Sequence, residues 1–336
     1  MVSARIVAVD YYLPAGELTN EHLSIQFPEW TVDKIAAKTG IRTRHIADAA
    51  ESEASMAVMA ARALLDNNDI ETSSIDLVLL CTQSSDLSRS AAATVQRQLG
   101  LRSGIAAIDI NLGCSGYVYS LGLAKGLIES GVAKNVLLLT TDTYSRYVNA
   151  ADKSVRTLFG DGASASLVAG SAADTQHLFA FAYGTDGAGG NALIVPNGGH
   201  RPGQDIAPNS TADNRGLVSN GFDLFMDGPA IFNFTLNVVP GTVDSILRKA
   251  QLRLDEVDLF VFHQANAFML QHLRKKLGIA PERFFISLEN SGNTVSSTIP
   301  IALSEAQKQG VLQPGMKVML LGFGVGLSWG GAMVQW

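Results

Sequence analysis

"LLDNNDIETSSIDLVLLC" (residues 64–81) lies without a gap on "ILRKAQLRLDEVDLFVFH" (residues 246–263) when the chain is set against itself at an offset of 182 residues. Leu64 falls on Ile246, Ile70 on Leu252, Ile75 on Val257, Asp76 on Asp258 and Leu77 on Leu259. The same offset lays "NVLLL" (135–139) on "KVMLL" (317–321), and it brings Asn111 and Cys114 onto Asn293 and Ser296. A helix–turn–strand pattern recurring at one fixed spacing reads as a duplication. Each copy alternates short β-rich runs, such as 77–81 and 136–140, with amphipathic helices, such as 56–65 and 117–128. Continuous apolar strands between amphipathic helices predict an α/β fold with buried parallel strands at its centre. Polar small residues in "AGSAADTQH" (169–177) interrupt the pattern and divide the chain into halves 1–175 and 176–336.

Length and composition agree with two fused halves, because single cores seldom grow past ~250–300 residues and this chain has 336. Hydrophobic residues make up 47% and charged residues 17%, which predicts a large interior and a buried subunit interface beyond it. A net charge of −6 supplies no global basic field for nucleic acid or an anionic membrane. The opening "MVSARIVAVDYYLPAG" reads as a strand and a turn rather than a signal peptide, and no apolar run approaches the ~18 residues of a membrane span. A cytoplasmic protein is therefore expected. Two cysteines, Cys81 and Cys114, lack the spacing of a thiolate metal site or a disulfide framework, so neither is expected. Residues 184–221, rich in Gly, Pro and Asn, read as a long functional loop or a disordered excursion.

Three residues could carry chemistry. Cys114 stands in "GCSG" at the start of the helix read from Tyr117, Leu121, Ala124 and Ile128, where unpaired N–H groups and the helix dipole favour a thiolate nucleophile. A cysteine packed as a small hydrophobe is the other reading of that position. His263 ends "VDLFVFH", so a parallel strand would deliver it to the carboxyl edge of a sheet, where it could donate to an oxygen or move a proton. Asn293 lies in "LENSGNTVSS", and turn chemistry alone accounts for it, but the duplication puts it near the twin of the Cys114 helix start. "GFGVGLSWGG" (322–331) is followed by a strand rather than a helix. It therefore reads as a tight turn bringing backbone N–H groups to a substrate oxygen, not as a dinucleotide loop.

The order "GCSG", "HQAN", "SGNT" and "GFGVGLSWG" resembles the β-ketoacyl-acyl carrier protein synthase III group of the thiolase superfamily, and "PEWTVDKIAAKTGIRTRHIA" and "FGDGASASLV" extend the likeness over almost the whole chain. The resemblance implies a thiolase-like five-layered αβαβα fold, a homodimer, and an acyltransferase of fatty acid biosynthesis. It implies that Cys114 takes an acyl group from acyl-coenzyme A. His263 and Asn293 would then stabilise the enolate formed as malonyl-carrier protein loses carbon dioxide, and N–H groups of Cys114 and Val325 would form the oxyanion hole. Coenzyme A enters as a thioester substrate, with no metal or redox cofactor. Trp30 matches the tryptophan that stacks on the coenzyme A adenine, Lys38 and Lys153 stand where arginines are usual, and Ala265, Asn266 and Phe323 fall among the substrate contacts. Phe268 replaces an arginine often used for carrier protein, leaving Arg274, Lys275 and Lys276 as a basic patch. The aromatic residue that commonly reaches across the dimer falls at Leu87 or Ser88, and the proline after it at Arg89. The missing arginine also raises a second reading, an acyltransferase of specialised metabolism that passes its acyl group to another nucleophile.

Overall fold

The structure is a computed structural model that describes residues 2–84, 89–172, 175–196 and 221–336. Its strands are β1 (Val2–Tyr12), β2 (Gly16–Thr19), β3 (Thr43–Ile46), β4 (Leu77–Cys81), β5 (Ala106–Ile110), β6 (Asn135–Asp142) and β7 (Gly162–Ala172). The remaining strands are β8 (Leu178–Thr185), β9 (Leu193–Ile194), β10 (Phe225–Met226), β11 (Leu259–Phe262), β12 (Lys317–Gly324) and β13 (Ser328–Gln335). Helices α1 (Asn20–Gln26), α2 (Val32–Thr39), α3 (Glu53–Asn67), α4 (Ala91–Gln98) and α5 (Gly116–Glu129) are followed by α6 (Lys153–Arg156), α7 (Gly228–Ala250), α8 (Ala267–Lys276) and α9 (Thr298–Lys308).

One sheet has the order β1-β7-β6-β4-β5, the other β11-β12-β13-β8. The duplicated cores are the parallel pair β4·β6 in the first and the parallel pair β11·β12 in the second. Each is extended by an antiparallel neighbour, β7 on β6 and β13 on β12. Helices α5 and α9 lie between the sheets and touch strands of both, α3 and α4 cover the outside of the first, and α7 packs on the outside of the second. The result is the five-layered αβαβα thiolase-like fold. Its middle layer explains the apolar face read in the α5 segment: Tyr117, Leu121, Ala124 and Ile128 join Val318, Leu320 and Ala332 in one buried cluster.

Within the stretch 169–177, β7 of the first sheet runs on to Ala172 along β1, and β8 of the second sheet begins at Leu178. One expectation needs correction: α7, at 23 residues, is long and apolar enough to cross a membrane by length and composition, contrary to the reading that no run approaches that length. It instead lays Ile231, Val239, Val243 and Ile246 into the core beneath the second sheet. Part of the Gly-rich stretch 184–221 is ordered as β9 pairing with β10, while residues 197–220 lie outside the described residues, as do Leu87 and Ser88.

Candidate active site

Cys114 sits just ahead of Ser115, which caps α5, so the sulfur stands one step outside the helix rather than in its first turn. Gly324 at the end of β12 sets the approach: a Cβ there would lie 2.8 Å from both Cβ and Sγ of Cys114. Gly322, two residues earlier, would press a Cβ to 2.6 Å from the Cys114 carbonyl oxygen. The alternating glycines thus let a strand of the second half run against the nucleophile of the first.

His263 follows β11 and continues its pairing through an N–H bond to Leu321 O at 2.8 Å. The residue is 2% exposed, with Nδ1 2.7 Å from Oγ1 of Thr298 at the start of α9. Asn293 is held from both sides: its N–H donates to Leu158 O at 2.9 Å, and its carbonyl accepts from Gly160 N–H at 3.1 Å. Its side-chain oxygen accepts from Val295 N–H at 3.0 Å, which leaves the amide nitrogen as the group with hydrogens to offer. Cys114, His263 and Asn293 line one cavity of about 80 Å³ together with Ala265, Asn266 and Phe323. Phe159, Leu193 and Ile231 give it apolar walls. Val325 follows Gly324, and its N–H, with that of Cys114, acts to lower the thiol pKa.

The electrostatics overturn one expectation. Burial, with the Asp142 carboxylate second, pushes the Cys114 thiol up to about 12, outweighing those two N–H groups. The nucleophile therefore rests as a thiol, because the stabilisation at a helix start is worth less than the cost of a charge in a dry site. Burial lowers His263 to about 3, so its imidazole is neutral. Cys81 is fully buried, donates Sγ–H to Leu112 O at 3.1 Å and lies against Gly116; burial raises its pKa strongly.

Family comparisons meet this geometry. A model described as 3-Oxoacyl-[acyl-carrier-protein (ACP)] synthase III matches residues 108–187, and one for the synthase III C terminal matches residues 247–336. The "Beta-ketoacyl-[acyl-carrier-protein] synthase III" of Clostridium perfringens is 33% identical over 336 residues, covering 100% of both chains. The chain belongs to the β-ketoacyl-[acyl-carrier-protein] synthase III family. The synthase III of Caldanaerobacter subterraneus subsp. tengcongensis is 31% identical and covers 100% of this chain and 98% of its own. A crystal structure of a 3-oxoacyl-(acyl-carrier-protein) synthase III superposes with TM-score 0.96 at 45% identity, covering 99% of this chain and 100% of that one. The 3-oxoacyl-(acyl-carrier protein) synthase of Burkholderia xenovorans LB400 gives TM-score 0.91 at 36% identity, covering 99% and 93%. The protein is thus an acyl-transferring condensing enzyme.

In this synthase III, Trp30 carries a ring of ammonium groups. Lys38 Nζ lies 5.1 Å from its ring centroid, Lys153 5.9 Å, and Lys34, which sequence reasoning missed, 5.7 Å. Lys153 also pairs with Glu29 at 2.6 Å. The helix joining this cluster to the cavity side is α2, whose C-cap Gly40 (φ 72°) would drive a Cβ to 2.3 Å from Ala267, the first residue of α8. Along α8, Lys275 and Lys276 are exposed, whereas Arg274 is half-buried and spends its guanidinium on Gln271 and Ile279 O. Phe268 is 61% exposed and lies tilted against the rings of Phe232 and His272. Sequence reasoning also missed Thr298, the Phe159–Gly160 turn that seats Asn293, and Asp142.

Proposed function

We propose that the enzyme transfers an acyl group from acyl-coenzyme A to Cys114 and then condenses it, with loss of carbon dioxide, with malonyl-carrier protein. The observation that carries this reading is the convergence of Cys114, His263 and Asn293, drawn from both halves, on one buried cavity. Cys114 sulfur attacks the thioester carbonyl while neutral His263 receives its proton, which leaves with coenzyme A as the free thiol. Negative charge on the carbonyl oxygen is met by the N–H groups of Cys114 and Val325. Malonyl thioester then loses carbon dioxide, and its enolate oxygen accepts from His263 Nε2–H and the Asn293 amide. The enolate carbon forms the new bond to the acyl carbonyl, the carbon–sulfur bond breaks, and the Cys114 thiolate takes up one proton from solvent. No metal or redox cofactor enters this scheme.

Trp30 with Lys34, Lys38 and Lys153 would hold the adenine and phosphates of coenzyme A, since an aromatic face and ammonium groups suit both. Lys275 and Lys276 would meet an acidic carrier protein. A cytoplasmic homodimer is the assembly we infer: β5 is an edge strand with Ala106, Ile108 and Asp109 exposed, and an open apolar edge calls for a partner strand. The names of the relatives favour condensation over transfer to another nucleophile. The test is intact-mass detection of the acyl adduct beside carbon dioxide release. Cys114→Ala should lose the adduct while Cys81→Ala keeps it; His263→Ala and Asn293→Ala should lose ~10²–10³ in decarboxylation with acylation less affected. An adduct persisting in Cys114→Ala would refute the reading.

A further inference from the structure

The duplication also pairs positions that have no assigned role. At the offset of 182 residues, Cys81 falls on His263, Asn111 on Asn293, Ser296 on Cys114, and Asp142 on Gly324. The structure keeps these pairings. Asp142 ends β6 as Gly324 ends β12, and Ser296 precedes α9 as Cys114 precedes α5.

The two copies differ in what stands before the helix start. Gly324 leaves the space beside the Cys114 sulfur open. Asp142, fully buried, fills the corresponding space: its carboxylate accepts Oγ–H of Ser296 and, at 3.2 Å, Ser296 N–H, the twin of the Cys114 N–H. It also accepts Gln83 N–H at 2.9 Å and Ser84 Oγ–H at 3.1 Å. Gln83 in turn abuts Gly113, the residue before the nucleophile, where a Cβ would stand 2.2 Å from Oε1. Thr82 Oγ1–H adds a longer contact at 3.4 Å, and among the described residues the donors are backbone N–H and hydroxyl groups, so no ammonium or guanidinium group among them neutralises the charge.

We propose that Asp142 closes a vestigial second centre and holds there a buried negative charge that, added to the burial of the site, opposes ionisation of Cys114. Asp142 is a positioning residue: it acts through its charge and through the two segments bonded to it, that of Gln83, which abuts Gly113, and that of Ser296. The titratable groups that feel it are Cys114, Cys81 on β4, and Tyr144 and Tyr147 after β6; Tyr147 also faces Glu53 and Arg146. Cys81 and both tyrosines are pushed upward and stay protonated, and His263 stays neutral, so none of them titrates near neutrality.

Burial raises Asp142 itself to about 6. Two coupled acids then leave a signature in how fast Cys114 is alkylated. Below about pH 6 Asp142 is protonated, and the logarithm of the rate climbs with unit slope. Above it, each further step in pH removes the Asp142 proton rather than the thiol proton. The rate therefore runs flat over a span of pH as wide as the rise that Asp142 imposes on the Cys114 thiol, and then climbs again.

This inference rests on Cys114 being the nucleophile. The experiment is iodoacetamide alkylation of the whole enzyme across pH, with the Cys114 adduct quantified by peptide mass. Wild type should give the three-part profile. Asp142→Asn should give one straight line and react at pH 8 about tenfold faster for each pH unit that the flat span covers in wild type. Ser296→Ala removes a donor to the carboxylate and should move the flat span to higher pH. A single unit slope in wild type, or Asp142→Asn no faster than wild type, overturns the proposal. Should Asp142→Asn not fold, the wild-type and Ser296→Ala profiles decide. Failure to label Cys114 together with absence of an acyl adduct would count against the nucleophile assignment, whereas normal labelling on one straight line counts against Asp142 alone.

Discussion

Thr298→Val tests how His263 serves two steps that need opposite forms of one ring. Thr298 has a single hydroxyl proton and two neighbours able to accept it, His263 Nδ1 at 2.7 Å and Val295 O at 3.1 Å. With the proton on the Val295 side, His263 must donate Nδ1–H, and Nε2 faces the cavity with a lone pair able to take the Cys114 proton. With the hydroxyl turned to Nδ1, Nε2 carries the hydrogen and can donate to an enolate oxygen. Valine keeps the shape of threonine and removes both options. His263 is 2% exposed, so water does not replace the lost partner, and an unsatisfied buried group costs about 1–3 kcal/mol. Acylation and decarboxylation should both slow by roughly 5–150-fold, each 1.4 kcal/mol being about a factor of ten. Single-turnover acylation followed by intact mass, and carbon dioxide release from preacylated enzyme, read the two steps separately, and Thr298→Ser should restore both. Rates within about twofold of wild type in the valine variant would refute this account of the ring, because ~1 kcal/mol is the least the lost bond should cost.

Gly324→Ala would force a methyl group to 2.8 Å from Cys114 Cβ and Sγ, so acylation should fall by about 100-fold with the melting temperature little lowered; an unchanged acylation rate would mean that β12 yields. Lys275→Glu with Lys276→Glu should raise KM for malonyl-carrier protein in a salt-sensitive way and spare acylation by acyl-coenzyme A, and an unaltered KM would remove the patch from docking. His263 has its folded pKa depressed to about 3, so its contribution to stability is complete above about 6.5 and is lost as pH falls from there toward 3. Asp142, raised to about 6, works the other way: the cost of its buried charge is relieved as pH falls through 6 toward 3.8. His263→Gln should therefore flatten the acid limb of melting temperature against pH, and parallel curves for the two proteins would contradict the assignment.

The fold was legible where both copies kept the same physical demand. A buried parallel strand needs an unbroken apolar run, and Leu77–Cys81 and Leu259–Phe262 show it in both halves, with an aspartate just ahead of each that binds the start of the neighbouring strand: Asp76 at Asn135 N–H, Asp258 at Lys317 N–H. Cys114 and His263 were legible for the related reason that the ends of such elements meet at one edge. The seat of Asn293 was not, because it depends on a backbone bridge to Phe159 that no local pattern encodes. Lys34 could have been found from its spacing of four from Lys38 on α2. The resting charge of Cys114 was misread because a helix start is visible in sequence and the depth of burial is not.

Asp142 and Thr298 escaped for a different reason. The offset that revealed the duplication was used to find likeness, whereas the chemistry lies where the copies disagree. Equal residues at paired positions, such as Asp76 and Asp258, serve the frame and must be the same twice. Unequal ones mark where one copy became a reaction centre and the other did not: cysteine against serine, histidine against cysteine, glycine against aspartate. A side chain at 324 would strike the nucleophile, while its twin at 142 is bonded into the equivalent space. One opening is thus left between two similar helix starts, and the second half supplies the imidazole and amide on the side where the first supplies the thiol.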